Sequence, residues 1–144
     1  MRVGERGPRV RRTPIALLAD VVCVIVFCTI GRRSHAEGLT VTGVAQTAWP
    51  FLTGTGAGWL LIRGWRQPFT VIPTGVVVWV CTVVVGMLLR KATSAGVAFS
   101  FVIVASAATA VLLLGWRVLV ASLQRLGVSP DQPNPSAAQK KSTE

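Results

Sequence analysis

The segment PIALLADVVCVIVFCTIG, residues 14–31, decides the fold, because it is an apolar run long enough to cross a bilayer. As an α-helix it would rise about 1.5 Å per residue, or roughly 27 Å in all, which matches the hydrocarbon core of a membrane. Asp20 is the single charged residue inside the run, and basic residues such as Arg12 and Arg32 lie on both sides of it. The segment therefore predicts a transmembrane helix that carries one unusual carboxylate.

The composition of the whole chain indicates the same class of protein. Of its 144 residues, 51% are hydrophobic and 14% are charged, and the mean hydropathy is +0.59. A soluble domain of this size could not bury so much apolar surface in one core. The formal charge of +10 does not indicate a nucleic-acid partner, because the basic residues flank the apolar runs instead of forming one stripe. The predicted surroundings are a lipid bilayer.

Three further apolar runs predict an all-α, polytopic membrane protein with four transmembrane helices in a compact bundle. Each run ends at a basic residue, as membrane spans usually do. Thr13 and Pro14 are typical of a helix start, with a hydroxyl cap before a proline at the first helical position. The predicted bounds are 1–13 for a basic cytoplasmic arm, 14–120 for the membrane domain with spans at about 14–31, 41–62, 72–89 and 97–116, and 121–144 for a disordered polar tail.

The distribution of arginine and lysine predicts the orientation of these spans. Nine basic residues near the spans lie on the side of the two termini, and four lie on the opposite side. Because cytoplasmic segments carry the excess of positive charge, both termini are predicted to be cytoplasmic. An alternative is a cleaved signal peptide that ends near Ser34-His35-Ala36. Asp20 within the first run and the three later runs favour a membrane helix.

Topology does not explain GRRSH, residues 31–35, because this orientation places its arginines on the outer side. Arg90 and Lys91, at the end of the third run, are placed there too. Two short loops of a four-helix bundle can lie close together. The sequence therefore predicts an outer basic cluster, opposed only by Glu37, that could bind an anionic lipid or an acidic segment of a partner protein. Its members are Arg32, Arg33, His35, Arg90 and Lys91.

Asp20 is the candidate functional residue at depth in the membrane. An aspartate near the centre of a span costs about 2.5–3.5 kcal/mol on insertion scales, so it should face the bundle and be paired, hydrated or protonated. One interpretation is a carboxylate that couples a proton or a ligand to transport. The other is a structural partner for Arg63, Arg117 or a hydroxyl group near the same end.

The second run contains a proline and closely spaced glycines, which predict a kink and a close contact between helices. Pro50 has no N–H to donate to the preceding turn. Gly54 and Gly58 would let another helix approach, and the small residues of the fourth run, 105–110, could receive them. A broken turn that lines a cavity is the alternative interpretation.

The five tryptophans divide by their depth in the predicted spans. Trp59, Trp65 and Trp116 lie near cytoplasmic ends and are interpreted as interfacial anchors. Trp49 and Trp79 lie deeper, where each indole N–H is expected to donate a structural hydrogen bond.

No residue set indicates catalysis, a metal site or a cofactor. His35 is the only histidine, and one histidine cannot supply a multi-histidine metal site or two haem ligands. Cys23, Cys28 and Cys81 all lie inside apolar runs and are interpreted as small buried hydrophobes. The chain has no GxxxxGK(S/T) and no HExxH motif. We therefore predict that the protein is not an enzyme; an enzyme acting on a lipid phosphate would need a nucleophile or metal that is not evident.

Motifs from all four runs occur together in one order. They are Asp20, GRRSH at 31–35, TAWPF at 47–51, PTG at 73–75 with Trp79, GMLLR at 86–90, Phe99 to Val102, and GWR at 115–117. Together they resemble an uncharacterised bacterial membrane-protein family, domain-of-unknown-function family 3054, over about residues 14–120. The resemblance implies a small integral protein of the bacterial inner membrane. It implies no activity, substrate or catalytic residue.

Two functional hypotheses follow. The first is a transporter-like protein or an accessory subunit that uses Asp20 and forms a homo-oligomer or joins a membrane partner. The second is a membrane module that binds a lipid or a partner through the outer basic cluster. Loss of proton-coupled flux in Asp20→Asn would favour the first, whereas loss of lipid or partner retention on charge reversal at Arg32 and Arg90 would favour the second.

Overall fold

The computed structural model describes residues 9–34 and 38–127, and four helices account for most of them. The helices are α1 (Arg9–Ser34), α2 (Val41–Ile62), α3 (Val76–Ala92) and α4 (Phe99–Arg125). A 3-10 turn, Gly64–Arg66, and a π-helical turn, Val71–Gly75, connect α2 to α3. The described residues contain no β-strand. The prediction of an all-α bundle of four helices is confirmed.

Contacts between the helices show that they run alternately up and down. Within each pair of helices, a higher residue number on one helix meets a lower number on the other. The pairs are Phe51–Gly86 and Gly58–Val78 for α2 and α3, Trp79–Ser106 and Arg90–Phe101 for α3 and α4, and Asp20–Arg117 and Cys23–Leu112 for α1 and α4. We call the two ends of this antiparallel bundle the Asp20 end and the Arg90 end.

Three segments of the described chain are long and apolar enough to span a membrane. They are Thr13–Ser34, Val71–Ala92 and Phe99–Arg125. The helix α2 has the predicted bounds and a similar length, 22 residues. It does not reach the same hydropathy, because Gln46 and a series of threonines and glycines dilute its apolar residues. Hydropathy thus supports three of the four predicted spans.

The glycines of α2 pack against α3. A Cβ on Gly54 would lie 2.6 Å from the carbonyl oxygen of Cys81, and a Cβ on Gly58 would lie 2.8 Å from the Cα of Val78. Only a hydrogen atom fits where two backbones approach this closely. The expectation that α4 would receive these glycines is wrong, because α3 follows α2 in the chain and folds back along it. Pro50 is buried within α2, which continues as one helix across it.

The first and last helices, α1 and α4, extend beyond their predicted ends. α1 begins at Arg9, so the predicted helix start at Thr13 and Pro14 is wrong and Pro14 lies inside the helix. α4 continues to Arg125, so residues 121–125 belong to a helix and not to the tail. Arg117 was expected to end the fourth span, but it is buried in the bundle. Residues 1–8 of the predicted arm and 128–144 of the predicted tail lie outside the described residues.

The apolar core forms two clusters along the bundle. One contains Phe27 and Phe51, whose rings meet edge to face with 5.4 Å between their centroids. The other contains Ala16, Trp59 and Val78 at the Asp20 end. Polar groups inside the bundle therefore lie beside tightly packed apolar side chains.

Candidate functional site

Asp20 and Arg117 form an ion pair inside the bundle. Both side chains are fully buried. The Nη1 of Arg117 donates to Oδ1 of Asp20 at 2.6 Å, and Nη2 donates to Oδ2 at 2.7 Å. This bidentate geometry is the strongest form of an arginine–carboxylate contact. Of the partners that the sequence left open for Asp20, the structure has Arg117, which ties α1 to α4.

Two indole groups complete the binding of the Asp20 carboxylate. The Nε1 of Trp59 donates to Oδ2 at 2.8 Å, and the Nε1 of Trp116 donates to Oδ1 at 3.0 Å. Each carboxylate oxygen therefore accepts one bond from a guanidinium and one from an indole. The interpretation of Trp59 and Trp116 as interfacial anchors is wrong, because their N–H groups are committed to a buried acid. Trp65 is exposed.

Arg117 also contacts the backbone around it. Its Nε donates to the carbonyl oxygen of Pro68 at 3.3 Å, and Nη1 donates to that of Leu113 at 2.9 Å. Its guanidinium carbon lies 4.5 Å from the ring centroid of Trp116. A Cβ on Gly75 would come within 3.0 Å of the Arg117 Cδ, so the glycine leaves room for the arginine. The connection between α2 and α3 thus helps to hold the ion pair.

This geometry makes the pair a cross-link between helices. A carboxylate oxygen offers about two acceptor positions, and both oxygens of Asp20 use two. A proton arriving at Asp20 would have to displace a donor. The three cavities described below are lined by other residues. The contacts of Asp20 are those of a buried structural acid.

At the Arg90 end, Arg32 and Arg90 line one cavity of about 190 Å³. All four helices contribute to its walls. The remaining lining residues are Phe27, Cys28 and Gly31 of α1, Thr47 of α2, and Phe101 of α4. The structure therefore brings together one arginine from each of the two basic motifs that the sequence singled out.

Arg90 is held by weak contacts with backbone and ring. Its Nη2 donates to the carbonyl oxygens of Ala95 and Gly96 at 3.2 and 3.5 Å. Its guanidinium carbon lies 4.8 Å from the ring centroid of Phe101. Its Nε is buried and has no hydrogen-bond partner within the described residues. Arg90 is therefore positioned by its neighbours, while one donor is left without an acceptor there.

Arg32 is positioned by the start of α2. Its Nη1 donates to Oγ1 of Thr47 at 3.2 Å, and its Nη2 donates to the carbonyl oxygen of Gly38 at 3.1 Å. A Cβ on Gly43 would lie 2.6 Å from Nη2 of Arg32, so a larger residue there would displace this guanidinium from its present position. Arg32 thus bridges α1 and α2 at the Arg90 end of the bundle.

The other members of the predicted basic cluster have different positions. Arg33 and Lys91 are exposed and do not line the cavity. His35 and Glu37 lie outside the described residues. The predicted five-residue cluster is therefore represented by two arginines at a cavity and two exposed basic neighbours.

Sequence reasoning missed the indole ligands of Asp20 and the aromatic walls of the cavity. Trp116 precedes Arg117 directly, and that adjacency could have indicated a shared site. Trp79 has the predicted structural bond, since its Nε1 donates to the carbonyl oxygen of Ser106 at 3.0 Å. Trp49 is 44% exposed. Within the described parts of the chain, no three His, Cys, Asp or Glu side chains are grouped so that they could hold a metal ion.

The fold and these two sites define a small helical membrane protein with an internal ion pair and a basic cavity at one end. The sequence matches the family described as "Protein of unknown function (DUF3054)" over residues 17–120, and the chain belongs to that family. No curated protein and no solved structure matches it. The function must therefore be argued from the residues themselves.

Proposed function

We propose that this is a non-enzymatic integral membrane protein that binds a phosphate-like anionic group in the cavity between Arg32 and Arg90. The observation that carries the proposal is the placement of two arginines from different helices on one small cavity. Arginine presents a planar set of N–H donors that matches the oxygens of phosphate and carboxylate. Guanidinium groups from two helices at one cavity could therefore bind the oxygens of one anion together.

The charge of Arg90 is not compensated within the described residues. Asp20 is the only acidic residue in 9–34 and 38–127, and it is bound by Arg117 at the opposite end. The hydrogen bonds of Arg90 go to carbonyl oxygens, which are neutral acceptors. A buried donor without an acceptor costs about 1–3 kcal/mol. The positive charge of Arg90 would therefore be balanced by an anion in the cavity.

The size of the cavity indicates what kind of group it would hold. Sites for whole organic ligands usually enclose roughly 300–1,000 Å³. This cavity, at about 190 Å³, suits a small ionic group. The aromatic rings of Phe27 and Phe101 in its wall would exclude water and strengthen the attraction between the arginines and the anion.

The geometry of Asp20 does not give similar support to a transporter-like or accessory role. A coupling carboxylate must exchange a proton or a ligand with a pathway. The acceptor positions of Asp20 are instead filled by Arg117, Trp59 and Trp116. We therefore place the binding function at the Arg90 end.

In the proposed topology α2 also crosses the membrane, as the second of four spans. Both termini are then cytoplasmic, which puts the Arg32–Arg90 cavity at the outer face of the cell membrane. The support is the antiparallel packing of α2 against α3 and the excess of basic residues on the side of the termini. In intact cells, an impermeant thiol reagent should label a cysteine introduced at Ser34 and spare one at Gln67, in a background without native cysteines. The reverse pattern would invert the topology.

The binding proposal can be tested by thermal denaturation of the purified protein in a neutral detergent. Inorganic phosphate, added at constant ionic strength against chloride, should raise Tm with the logarithm of its concentration above Kd; a hundredfold excess over Kd corresponds to about 2.7 kcal/mol. Arg90→Gln should abolish the rise in Tm. Lys91→Gln removes the same charge one residue away, outside the cavity, and should leave it intact. A phosphate response that Arg90→Gln and Lys91→Gln weaken equally would contradict the proposal.

A further inference from the structure

We infer that the anion is the head group of a membrane lipid, and that an acyl chain of the same lipid lies in the groove between α1 and α4. This inference rests on the proposed function and adds the class of ligand. The groove lies beside the arginine cavity and has polar residues at that end and apolar residues deeper in the bundle, and a second groove lacks these features.

The groove between α1 and α4 lies next to the arginine cavity. It has a volume of about 440 Å³. Three residues, Phe27, Gly31 and Phe101, line both the cavity and the groove. A single ligand could therefore occupy both spaces without displacing a helix. Because Gly31 has no side chain, the wall between the two spaces is low at that point.

The lining of the groove changes from polar to apolar along the bundle. Ser34, at the end of α1, and Ser100, near the start of α4, line it at the Arg90 end. Val104 and Ala108 line its deeper part. From Ser100 to Ala108, α4 rises roughly 12 Å toward the middle of the bundle. This order matches a lipid with a charged head at the arginines and a hydrocarbon chain pointing into the membrane.

A second groove, between α1 and α2, is a useful contrast. Its volume is similar, about 460 Å³, and its walls are also mostly apolar. It shares no lining residue with the arginine cavity. Any lipid could fill it without recognition of a head group, whereas the α1–α4 groove combines apolar walls with a source of positive charge. The charge selects an anionic lipid for the α1–α4 groove.

The test compares a whole lipid with its head group alone. Dissociation constants are measured in neutral detergent for dioleoyl phosphatidylglycerol, for dioleoyl phosphatidylcholine and for glycerophosphate. Phosphatidylglycerol should bind at least about tenfold more tightly than either of the others, since burial of about two CH₂ groups already contributes a factor of ten. Arg90→Gln should reduce its affinity to that of phosphatidylcholine.

A groove-filling variant separates the inference from the proposed function. Val104 is 62% exposed, so Val104→Trp should fill the groove without disturbing the core. We expect it to weaken phosphatidylglycerol binding about tenfold and to leave glycerophosphate binding unchanged. Val41→Trp makes the same change in the second groove, where Val41 is exposed, and should alter neither affinity. Ile30→Trp, on the opposite wall of the α1–α4 groove, replaces Val104→Trp if that variant folds poorly.

The outcomes distinguish the lipid inference from the proposed anion-binding function. If glycerophosphate binds as tightly as phosphatidylglycerol and Val104→Trp changes neither affinity, the lipid inference is overturned and the anion site stands. If phosphatidylglycerol and phosphatidylcholine bind equally, the groove holds lipid without recognition of its head group, and the inference is again overturned. If Arg90→Gln affects none of the three ligands, both the inference and the proposed function fail.

Discussion

The two ends of the bundle use arginine in opposite ways. At the Asp20 end, Arg117 is fully buried, and a carboxylate, two carbonyl groups and an indole ring surround it. At the Arg90 end, Arg90 is partly exposed, its side chain donates within the described residues to loop carbonyl groups alone, and it lines a cavity with a second arginine. At the Asp20 end the two charges neutralise each other, whereas at the Arg90 end a positive charge borders a space large enough for an ion.

The difference indicates that the role of each arginine depends on whether its charge has a partner inside the protein. Burying an ion pair is tolerated when every donor and acceptor finds a partner. In the proposed function, Arg90 would gain from a bound anion what Arg117 gains from Asp20. Stability and binding should therefore respond to substitutions at opposite ends of the molecule.

The largest expected effect is at Arg117. Arg117→Gln would leave the Asp20 carboxylate buried without its counter-ion, and breaking such a pair costs about 3–5 kcal/mol. The free energy of unfolding, measured by denaturant titration in mixed micelles, should fall by that amount. The exposed Arg63 at the same end is the control, and Arg63→Gln should cost almost nothing.

A double variant tests whether the cost of Arg117→Gln comes from the unpaired acid. In Asp20→Asn combined with Arg117→Gln, no buried charge remains, so much of the lost stability should return. If the double variant is as unstable as the sum of the single variants, the arginine stabilises the bundle by packing and not through the ion pair.

A smaller effect is expected from the indole ligands of Asp20. Trp59→Phe keeps an aromatic ring but removes the N–H that donates to Oδ2, which should cost about 1–3 kcal/mol. Trp65→Phe makes the same change at an exposed position and should be close to neutral. The unfolding titration used for Arg117 provides the comparison. Equal losses for the two tryptophans would show that the bond to Asp20 adds no stability.

The sequence predicted the elements of the fold better than their contacts. Apolar runs and flanking charges located all four helices, and the bounds of α2 agree with the structure. The end of α4 was misplaced, because a basic residue at the end of an apolar run usually marks the membrane surface. Arg117 instead lies inside α4, buried against Asp20, which is 97 residues away in the chain. A local pattern carries no information on a pairing at that separation.

The sequence predicted only part of the candidate site, because the rest depends on contacts between residues far apart in the chain. Each basic motif, Arg32-Arg33 and Arg90-Lys91, was visible in the sequence. Which member of each pair lines the cavity depends on the rotation of its helix, and this is set by packing against three others. The contribution of Phe27 and Phe101 to the walls of the cavity follows from that packing alone.

The smallest effect on stability is expected at Arg90, and it makes the contrast between the two ends sharpest. Without phosphate or anionic lipid, Arg90→Gln loses hydrogen bonds to two loop carbonyl groups and the contact with Phe101, and it removes a charge that is not compensated within the described residues, so the net cost should be at most about 1 kcal/mol. Lys91→Gln should cost no more. The unfolding titration for these variants is run in neutral detergent and then repeated with phosphatidylglycerol, where the wild-type protein should gain stability that Arg90→Gln does not.

A loss for Arg90→Gln as large as that for Arg117→Gln, with no ligand present, would mean that both ends are structural cross-links. The position of Arg90 would then be explained by its contribution to folding, and the cavity would be no evidence for anion binding.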